Sequence, residues 1–322
     1  MVQVHTSMRE VAGKVAFITG GSSGIGLGIA RAFINAGMKV AFSYRTRAHL
    51  DRAMGFFRGK EQRVHAINVD VTDRPGMARA AEETVRRFGK VHVLVNNAAV
   101  GMITGLVDAT FDDWDWVTGV NIDGVFNGIR AFLPLIRAHG EGGHVVSTSS
   151  MGGLVVAKGT VYSTTKFAVV GMMEGLRAEL YDTNIGVSVY CPGGVNSNIR
   201  HSDRNRPERL SASGFTPASE EPAFPDGLRE RYPDPGGDGR CMDPLEAGEW
   251  VLHGIRNNLM YILSHPEFEP TVRDRAEALL ASFTSGGRAV PQARLDDERE
   301  ILRPKMYVIE RERALRSGSC SD

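Results

Sequence analysis

The chain has 322 residues, of which 42% are hydrophobic and 24% charged, a composition typical of a soluble globular protein with a sizeable core. Its 38 basic and 38 acidic residues give a formal net charge of zero, which excludes a global attraction to nucleic acid or anionic lipid. No stretch reaches the roughly 18 apolar residues of a membrane span and no Cys-x-x-Cys pair occurs, so we expect a cytoplasmic protein that binds a small-molecule substrate but no nucleic acid, membrane or metal.

A short apolar strand followed by a glycine-rich turn lies near the start of the chain. Residues 14–19 read Lys-Val-Ala-Phe-Ile-Thr, which predicts a buried parallel strand, and residues 27–36 have a helical pattern. The turn between them allows a pyrophosphate to approach the backbone at a helix N-terminus. The cofactor-binding residues predicted here are Gly20, Ser22, Ser23, Gly24, Ile25 and Gly26. The alternative is a tight turn that binds nothing.

The end of the second predicted strand, residues 39–44, indicates which dinucleotide binds. About twenty residues past a glycine turn, NAD-binding proteins carry an acidic residue that accepts hydrogen bonds from the ribose. Here the position is Tyr44, followed by Arg45 and, two residues later, Arg47. Arginine binds phosphate in a bidentate way, so the pattern favours NADP, with NAD possible. The alternative is a solvated helix entry.

Tyr162 and Lys166 are four residues apart at the start of a predicted helix, so the phenol and the ammonium lie one turn apart on the same face. A free tyrosine titrates near pH ~10, and we expect the lysine charge to favour the phenolate. The pair is therefore a candidate proton shuttle. By itself, this spacing also occurs by chance in many helices.

Further strands and helices alternate along the chain. Strands are predicted at 63–68, 91–95, 144–147, 185–191 and 260–264, and helices at 73–88, 111–138 and 271–283. This alternation predicts an α/β fold, an open, doubly wound parallel sheet of about seven strands with ligands at its carboxyl edge. Asp70 and Val71 follow the third strand, and Ser149 and Ser150 follow the fifth, so both pairs are expected at that edge.

We assign residues 1–322 to a single dinucleotide-binding domain. Within it, residues 201–245 are rich in proline, glycine and charge and lack a period, which predicts a substrate lid or insertion. Residues 289–322 form a C-terminal arm, dense in Arg and Glu, which either packs on a neighbouring subunit or is a solvated tail.

Taken together, the motifs resemble the short-chain dehydrogenase/reductase family over residues 10–200. The motifs, in order, are Thr19-Gly20-x-x-x-Gly24-x-Gly26, Asn96-Asn97-Ala98, Asn121, Ser149-Ser150, Tyr162-x-x-x-Lys166 and Pro192-Gly193-x-Val195-x-Ser197. The resemblance implies a Rossmann fold, a homodimer or homotetramer, and hydride transfer between a secondary alcohol or ketone and NAD(P).

The same resemblance implies roles for individual residues. Tyr162 would be the acid/base, Lys166 its modulator and ribose ligand, and Asn121 the holder of a water that connects Lys166 to solvent. A serine would polarise the substrate oxygen. The interval to Tyr162 favours Ser149, whereas the following Met-Gly-Gly-Leu favours Ser150, and we choose Ser150 because a loop absorbs a deletion more easily than a strand shifts register.

The resemblance implies further cofactor contacts from Asn97, Pro192, Gly193, Val195 and Ser197. One departure is Ala99, where the family usually has glycine. A looser similarity connects the chain with the branch containing Cα-dehydrogenases, which oxidise benzylic alcohols in lignin-derived aryl ethers, and implies a bulky or aromatic substrate. The alternatives are a reductase of 3-oxoacyl thioesters or steroids and, in another class, a regulator that senses the cofactor without catalysis.

Overall fold

A seven-stranded, entirely parallel sheet with the strand order β3-β2-β1-β4-β5-β6-β7 forms the centre of the protein. The computed structural model describes residues 8–211, 241–283, 289–301 and 305–318. The strands are Val15–Ile18 (β1), Lys39–Tyr44 (β2), Val64–Asn68 (β3), Val93–Asn96 (β4), Gly143–Thr148 (β5), Ile185–Tyr190 (β6) and Tyr261–Ile262 (β7). The predicted doubly wound sheet is confirmed.

Helices cover both faces of the sheet. They are Gly24–Asn35 (α1), Arg47–Met54 (α2), Arg74–Phe88 (α3), Phe111–Thr118 (α4), Gly124–Ala138 (α5), Thr160–Glu179 (α6), Pro244–Asn257 (α7), Glu269–Ala281 (α8), Gln292–Ile301 (α9) and Lys305–Gly318 (α10). Successive strand residues point to opposite faces, so Phe17 lies in one hydrophobic core and Ile18 in the other.

Two predicted helices differ from the observed ones. The first begins at Gly24 and not at residue 27, because the glycine motif itself supplies the first helical turn. The helix predicted over 111–138 is interrupted by a π-helical turn at Gly119–Asp123. An inserted residue of this kind often marks a functional position, and this one contains Asn121.

The order of the strands places a ligand cleft at the carboxyl edge of the sheet. The chain builds β1, β2 and β3 in one direction and then returns past β1 to build β4 to β7 on the other side. The loops after β1 and β4 therefore separate, which opens a crevice between them. The glycine turn after β1 and the carboxyl ends of β4 and β5 all lie at this crevice.

Part of the predicted lid, residues 201–245, lies outside the described residues, since positions 212–240 are not described. Before them, the chain forms 3₁₀ turns at Asn198–Asn205 and Glu208–Leu210. After them, Met242 pairs with Val195, and α7 begins at Pro244. Helix α7 crosses α1 at Gly28 of α1 and Gly248 of α7, where the two backbones are in contact. A Cβ on Gly28 would lie 1.6 Å from the Pro244 carbonyl oxygen, and one on Gly248 would lie 2.3 Å from the Gly28 oxygen.

The described part of the predicted C-terminal arm includes α10, which contacts the end of the sheet in its own chain. Glu310 is buried and accepts two hydrogen bonds from Arg177 of α6, at 2.8 and 3.0 Å. Tyr307 donates to Glu174 of the same helix at 2.9 Å. Among the described helices, none combines the length and hydrophobicity needed to cross a bilayer.

Candidate active site

A cavity of about 740 Å³ lies at the carboxyl edge of the sheet and gathers most of the predicted site residues. Those that line it are Gly20, Ser22, Ser23, Gly24, Ile25, Tyr44, Arg45, Asp70, Val71, Asn97, Ser150, Tyr162, Lys166, Pro192, Gly193, Val195 and Ser197. Gly26 and Asn121 are absent from this lining. The cavity is therefore bordered on one side by the glycine turn and on the other by the start of α6.

The glycine turn fits the close approach of a phosphate. Gly20 and Gly24 have φ of 65° and 49°, in the left-handed region that only glycine adopts readily. A Cβ on Gly24 would lie 2.8 Å from the Cβ of Ser197, so the turn and the loop after β6 touch at this point. Ser23 is the N-cap of α1 without a capping hydrogen bond from its side chain. The backbone N–H groups at a helix N-terminus are suited to an anion, which agrees with the phosphate contact predicted here.

Gly26 contributes to the shape of the turn and not to its surface. A Cβ there would lie 2.3 Å from the Gly20 oxygen and 2.5 Å from Asn97 Nδ2. Gly26 therefore lets α1 pack directly behind the turn, and its contact with the cofactor stays a prediction.

The loop after β4 is held against the glycine turn by Thr19. Its hydroxyl oxygen accepts hydrogen bonds from the backbone N–H groups of Asn97 and Ala98, at 2.8 and 2.9 Å. Asn97 Nδ2 in turn donates to the Thr19 carbonyl at 3.2 Å. Ala99 lines the cavity with a negative φ, because Asn258 is the only non-glycine residue of the described chain with a positive one. Alanine therefore fits here without backbone strain.

Tyr162 and Lys166 lie one turn apart on α6, as the spacing predicts. The helix starts after Gly159, whose φ is 83°, and a Cβ at Gly159 would lie 2.4 Å from the Met102 oxygen. Lys166 Nζ lies 5.4 Å from the centre of the Tyr162 ring and donates to the Thr148 carbonyl at 3.1 Å. Both side chains reach the cavity, although only 2% of Lys166 is exposed.

The pKa of Tyr162 differs from the prediction. Burial raises it to about 12, and a hydrogen bond with Ser150 offsets part of that rise. The expectation that Lys166 lowers this pKa is wrong for the protein chain alone. Burial also lowers the pKa of Lys166, to about 8, since its ammonium is desolvated. The lysine charge is thus itself disfavoured, and among the described residues its ammonium donates a hydrogen bond to the Thr148 carbonyl and not to the phenol.

The two candidate serines have different partners. Ser149 donates its hydroxyl to the Lys166 carbonyl at 2.8 Å and is buried beneath α6. Ser150 forms a hydrogen bond with Tyr162, and its oxygen also accepts from the Gly152 N–H at 3.1 Å. This geometry supports the choice of Ser150 as the group beside the reacting oxygen.

Asn121 lies behind the cavity. Its Oδ1 accepts from the Val100 N–H at 2.9 Å, and its Nδ2 donates to the Val100 oxygen and to Thr165 Oγ1, at 2.9 and 3.1 Å. Both amide hydrogens are therefore engaged. The side chain fixes the Val100 loop against α6, which makes Asn121 a positioning residue.

Sequence reasoning did not identify two further polar residues that line the cavity, His49 and Arg204. Thr148 also lines it, as expected for the residue that ends the fifth strand directly before the two serines. His49 and Arg204 carry no motif, and only the folded chain brings α2 and the 198–205 segment together.

A second group of titratable side chains lies at the opposite edge of the sheet. Ligand atoms of His92, His139 and Glu141 lie within 4.8 Å of one another. However, Lys14 and Lys90 both form ion pairs with Glu141, and the two ring nitrogens of His139 bond to the Val91 oxygen and the Glu141 N–H. These contacts make the group a satisfied hydrogen-bond cluster.

Comparison with known proteins agrees with this geometry. A family model described as short chain dehydrogenase matches residues 14–208. A protein named C alpha-dehydrogenase from Sphingobium sp. strain SYK-6 is 34% identical over 277 residues, which cover 85% of this chain and 88% of that protein.

Solved structures show the same overall fold. A short chain dehydrogenase/reductase from Burkholderia phymatum in complex with NAD has a TM-score of 0.78 at 31% identity, covering 88% of this chain and 100% of that one. A short chain dehydrogenase from Burkholderia cenocepacia J2315 in complex with NADP has a TM-score of 0.63 at 25% identity, covering 79% and 96%.

Proposed function

This chain belongs to the short-chain dehydrogenase/reductase family of oxidoreductases, and from that premise we propose that it interconverts a bulky, apolar or aromatic secondary alcohol and its ketone with NADP. The observation that carries the proposal is the convergence of Ser150, Tyr162 and Lys166 on a cavity whose other side is a phosphate-binding glycine turn. NAD remains a possible cofactor, because related structures contain either dinucleotide.

The residues around the cavity fit a dinucleotide. The amides at the start of α1 suit the pyrophosphate, and Arg45 suits a ribose phosphate. When bound, a nicotinamide accepts or returns hydride and, in its oxidised form, brings a positive charge to the cavity. Such a charge favours the phenolate of Tyr162, whose pKa burial raises to about 12 in the chain alone.

In the oxidative direction, Tyr162 takes the hydroxyl proton of the substrate. Ser150 donates a hydrogen bond to the same oxygen as negative charge develops on it, which stabilises the transition state. Lys166 fixes the ribose and supplies a second positive charge below the phenol ring. In the reverse direction, the phenol returns its proton to the ketone oxygen.

An apolar rim beside the start of α6 supports a hydrophobic substrate. Ile103, Leu106 and Val107 of the loop after β4 are 52%, 54% and 96% exposed, and Phe111 and Val156 nearby in sequence are also exposed. The Leu106 N–H donates to Thr160 Oγ1 at 2.9 Å, which holds this loop two residues from Tyr162. The resemblance to the benzylic-alcohol branch supports the same substrate class.

We infer that the protein is a homodimer, and a groove between α5 and α6 supports this. It is lined by Phe126, Leu133 and Met172 together with Gly171 and Gly175, and Phe126 is 51% exposed. A second copy of this chain would bury these side chains. Sedimentation of the parent and of Gly175→Arg should show a dimer and a monomer, respectively. We also expect a cytoplasmic location.

The catalytic proposal is tested with the purified protein, NADP and a panel of secondary alcohols that includes benzylic alcohols, steroids and 3-hydroxyacyl thioesters. The absorbance of reduced nicotinamide reports turnover. Tyr162→Phe should lower kcat by about 10³-fold, because it removes the acid/base. It should leave NADP binding within a few-fold.

Tyr162→Phe also separates catalysis from cofactor sensing. Loss of NADP binding with unchanged chemistry would refute the role of Tyr162. If the parent protein binds NADP tightly but turns over none of the alcohols, a cofactor sensor would be favoured. Faster turnover of steroids or thioesters than of benzylic alcohols would reassign the substrate.

A further inference from the structure

The 3₁₀ segment Asn198–Asn205, called the strap from here on, borders the cavity along its length. It begins after Ser197, which touches the glycine turn at Gly24. In its middle, Ser202 Oγ accepts a hydrogen bond from the Gly101 N–H at 2.8 Å. Near its end, Arg204 lines the same cavity as the residues that follow β2. The strap thus connects the glycine turn with the ribose end of the cleft.

Three basic side chains meet at that ribose end. Arg45 follows β2, His49 lies on α2, and Arg204 comes from the strap. Burial lowers the pKa of Arg204, and repulsion from the nearby Arg45 lowers it further. Burial also lowers the pKa of His49, and the charge of Arg204 adds to that shift. The strap therefore brings two like charges, Arg204 and Arg45, close to each other and to the imidazole of His49.

Little negative charge balances them. Asp70 is the only carboxylate among the described residues that line the cavity, and its Oδ2 is paired with Arg45 Nη1 at 3.2 Å. Within the described chain, Arg204 donates hydrogen bonds through Nη1, to the backbone oxygens of Asn198 and His201. A guanidinium has five N–H donors, so most of those on Arg204 can serve a ligand. Such a cluster is stabilised by an anion with several acceptor oxygens.

We propose that Arg204 is a specificity-determining residue that, together with Arg45 and His49, binds the phosphate monoester on the adenosine ribose of the cofactor. The inference rests on the proposed use of NADP and adds a contact from the substrate side of the cleft. It follows that the 2′-phosphate holds the strap against the ribose end by neutralising the repulsion between Arg204 and Arg45. The strap also borders the part of the cavity that contains Tyr162. Binding of the phosphate therefore also fixes the conformation of the strap beside the substrate.

The test uses two half-cofactors, adenosine 2′,5′-bisphosphate and 5′-AMP, titrated calorimetrically into the full-length protein. Arg204→Gln should weaken binding of the bisphosphate by about 10- to 100-fold, through loss of a charge-assisted bidentate contact, and leave 5′-AMP within about 2-fold. His49→Gln should cause a smaller loss in the same direction. The matched control is Arg47→Gln. Arg47 also follows β2, but it is paired with Asp51 and does not line the cavity.

Equal weakening of both probes by Arg204→Gln, or no effect on either, would overturn the proposal. A merely structural role of Arg204 would change both affinities together, so the ratio between the probes separates the two roles. Neither probe is oxidised or reduced. Failure to turn over any alcohol would therefore count against the proposed function alone, and an unchanged bisphosphate affinity would count against Arg204 alone.

Discussion

Helix α6 carries one buried cation in each half, and the two have opposite surroundings. Arg177 is 4% exposed and donates to Glu310, to the Val187 oxygen and to both the side chain and the backbone of Asn258. Lys166 is 2% exposed and has one hydrogen bond, to the Thr148 carbonyl. The same helix thus holds a fully partnered charge and one without a carboxylate among the described contacts.

This difference separates a structural charge from a functional one. A buried charge that is paired and fully hydrogen-bonded stays charged and holds the fold together. Burial lowers the pKa of both cations, but the Glu310 carboxylate offsets the shift for Arg177, whereas no carboxylate among the described contacts does so for Lys166. Burial likewise raises the pKa of Tyr162. Groups whose pKa is shifted by burial and that face a cavity are the ones expected to exchange protons with a substrate.

The largest expected effect on stability comes from removing the structural cation. Arg177→Met should lower the free energy of unfolding by about 3 kcal/mol, because it leaves Glu310 buried with Arg313 as its one remaining partner among the described residues. Urea denaturation measures the loss. The double variant Arg177→Met/Glu310→Leu should recover most of it, and a double variant as unstable as the single one would show that the pair is not the cause.

The next largest effect is expected on kcat and not on stability, at the neighbouring residues Ser149 and Ser150. Ser150→Ala should lower kcat by about 10²-fold, since it removes the hydrogen bond to the reacting oxygen. The matched control, Ser149→Ala, removes only the bond to the Lys166 carbonyl and should cost about 1 kcal/mol of stability with kcat within a few-fold. The reverse pattern would assign the role to Ser149.

Removing the functional cation should have the opposite effect on stability. Lys166→Met should abolish turnover yet raise the free energy of unfolding at pH 7 by about 1 kcal/mol, because the desolvation of an ammonium disappears.

The advantage of Lys166→Met depends on pH in a definite direction. The pKa of Lys166 is about 8 in the folded protein and 10.5 for an ordinary lysine, so between these pH values the unfolded chain binds more protons. The parent should therefore gain stability as pH rises through that window, and the advantage of the variant should disappear. A variant that is less stable than the parent at pH 7 would contradict the comparison.

The smallest expected effect is at Glu174, between the two cations on α6. It accepts hydrogen bonds from Tyr261 at 2.6 Å and Tyr307 at 2.9 Å, which join β7 and α10 to this helix. Glu174→Gln keeps an acceptor oxygen and should cost about 0.5 to 1 kcal/mol in thermal unfolding. Turnover should stay within 2-fold, and a larger change would mean that α10 influences the active site.

The parts that local patterns determine could be predicted from the sequence. The strands appear as short apolar runs, and the carboxyl ends of parallel strands must share an edge, which is why Asn97, Ser150 and Tyr162 meet at one cavity. The choice of Ser150 over Ser149 rested on the resistance of a strand to a shift in register, and it stays a prediction. Asn121 was identified, although the π-helical turn around it was not.

Contacts across large separations in sequence could not be predicted. Arg177 and Glu310 are 133 residues apart, and neither belongs to a motif. Arg204 approaches Arg45 only because the strap follows the cavity edge. The raised pKa of Tyr162 was also missed, because desolvation depends on the depth of burial, which spacing along a helix does not reveal.

The crossing of α1 and α7 at Gly28 and Gly248 has a consequence for engineering. The backbones touch there, so a substituent larger than hydrogen on either residue would push the dinucleotide helix out of place. The chain from Met242 to Gly248 is thereby locked to the half of the molecule that contains the glycine turn. Chimaeras that exchange α7 between homologues should keep both glycines, so that α1 stays in place.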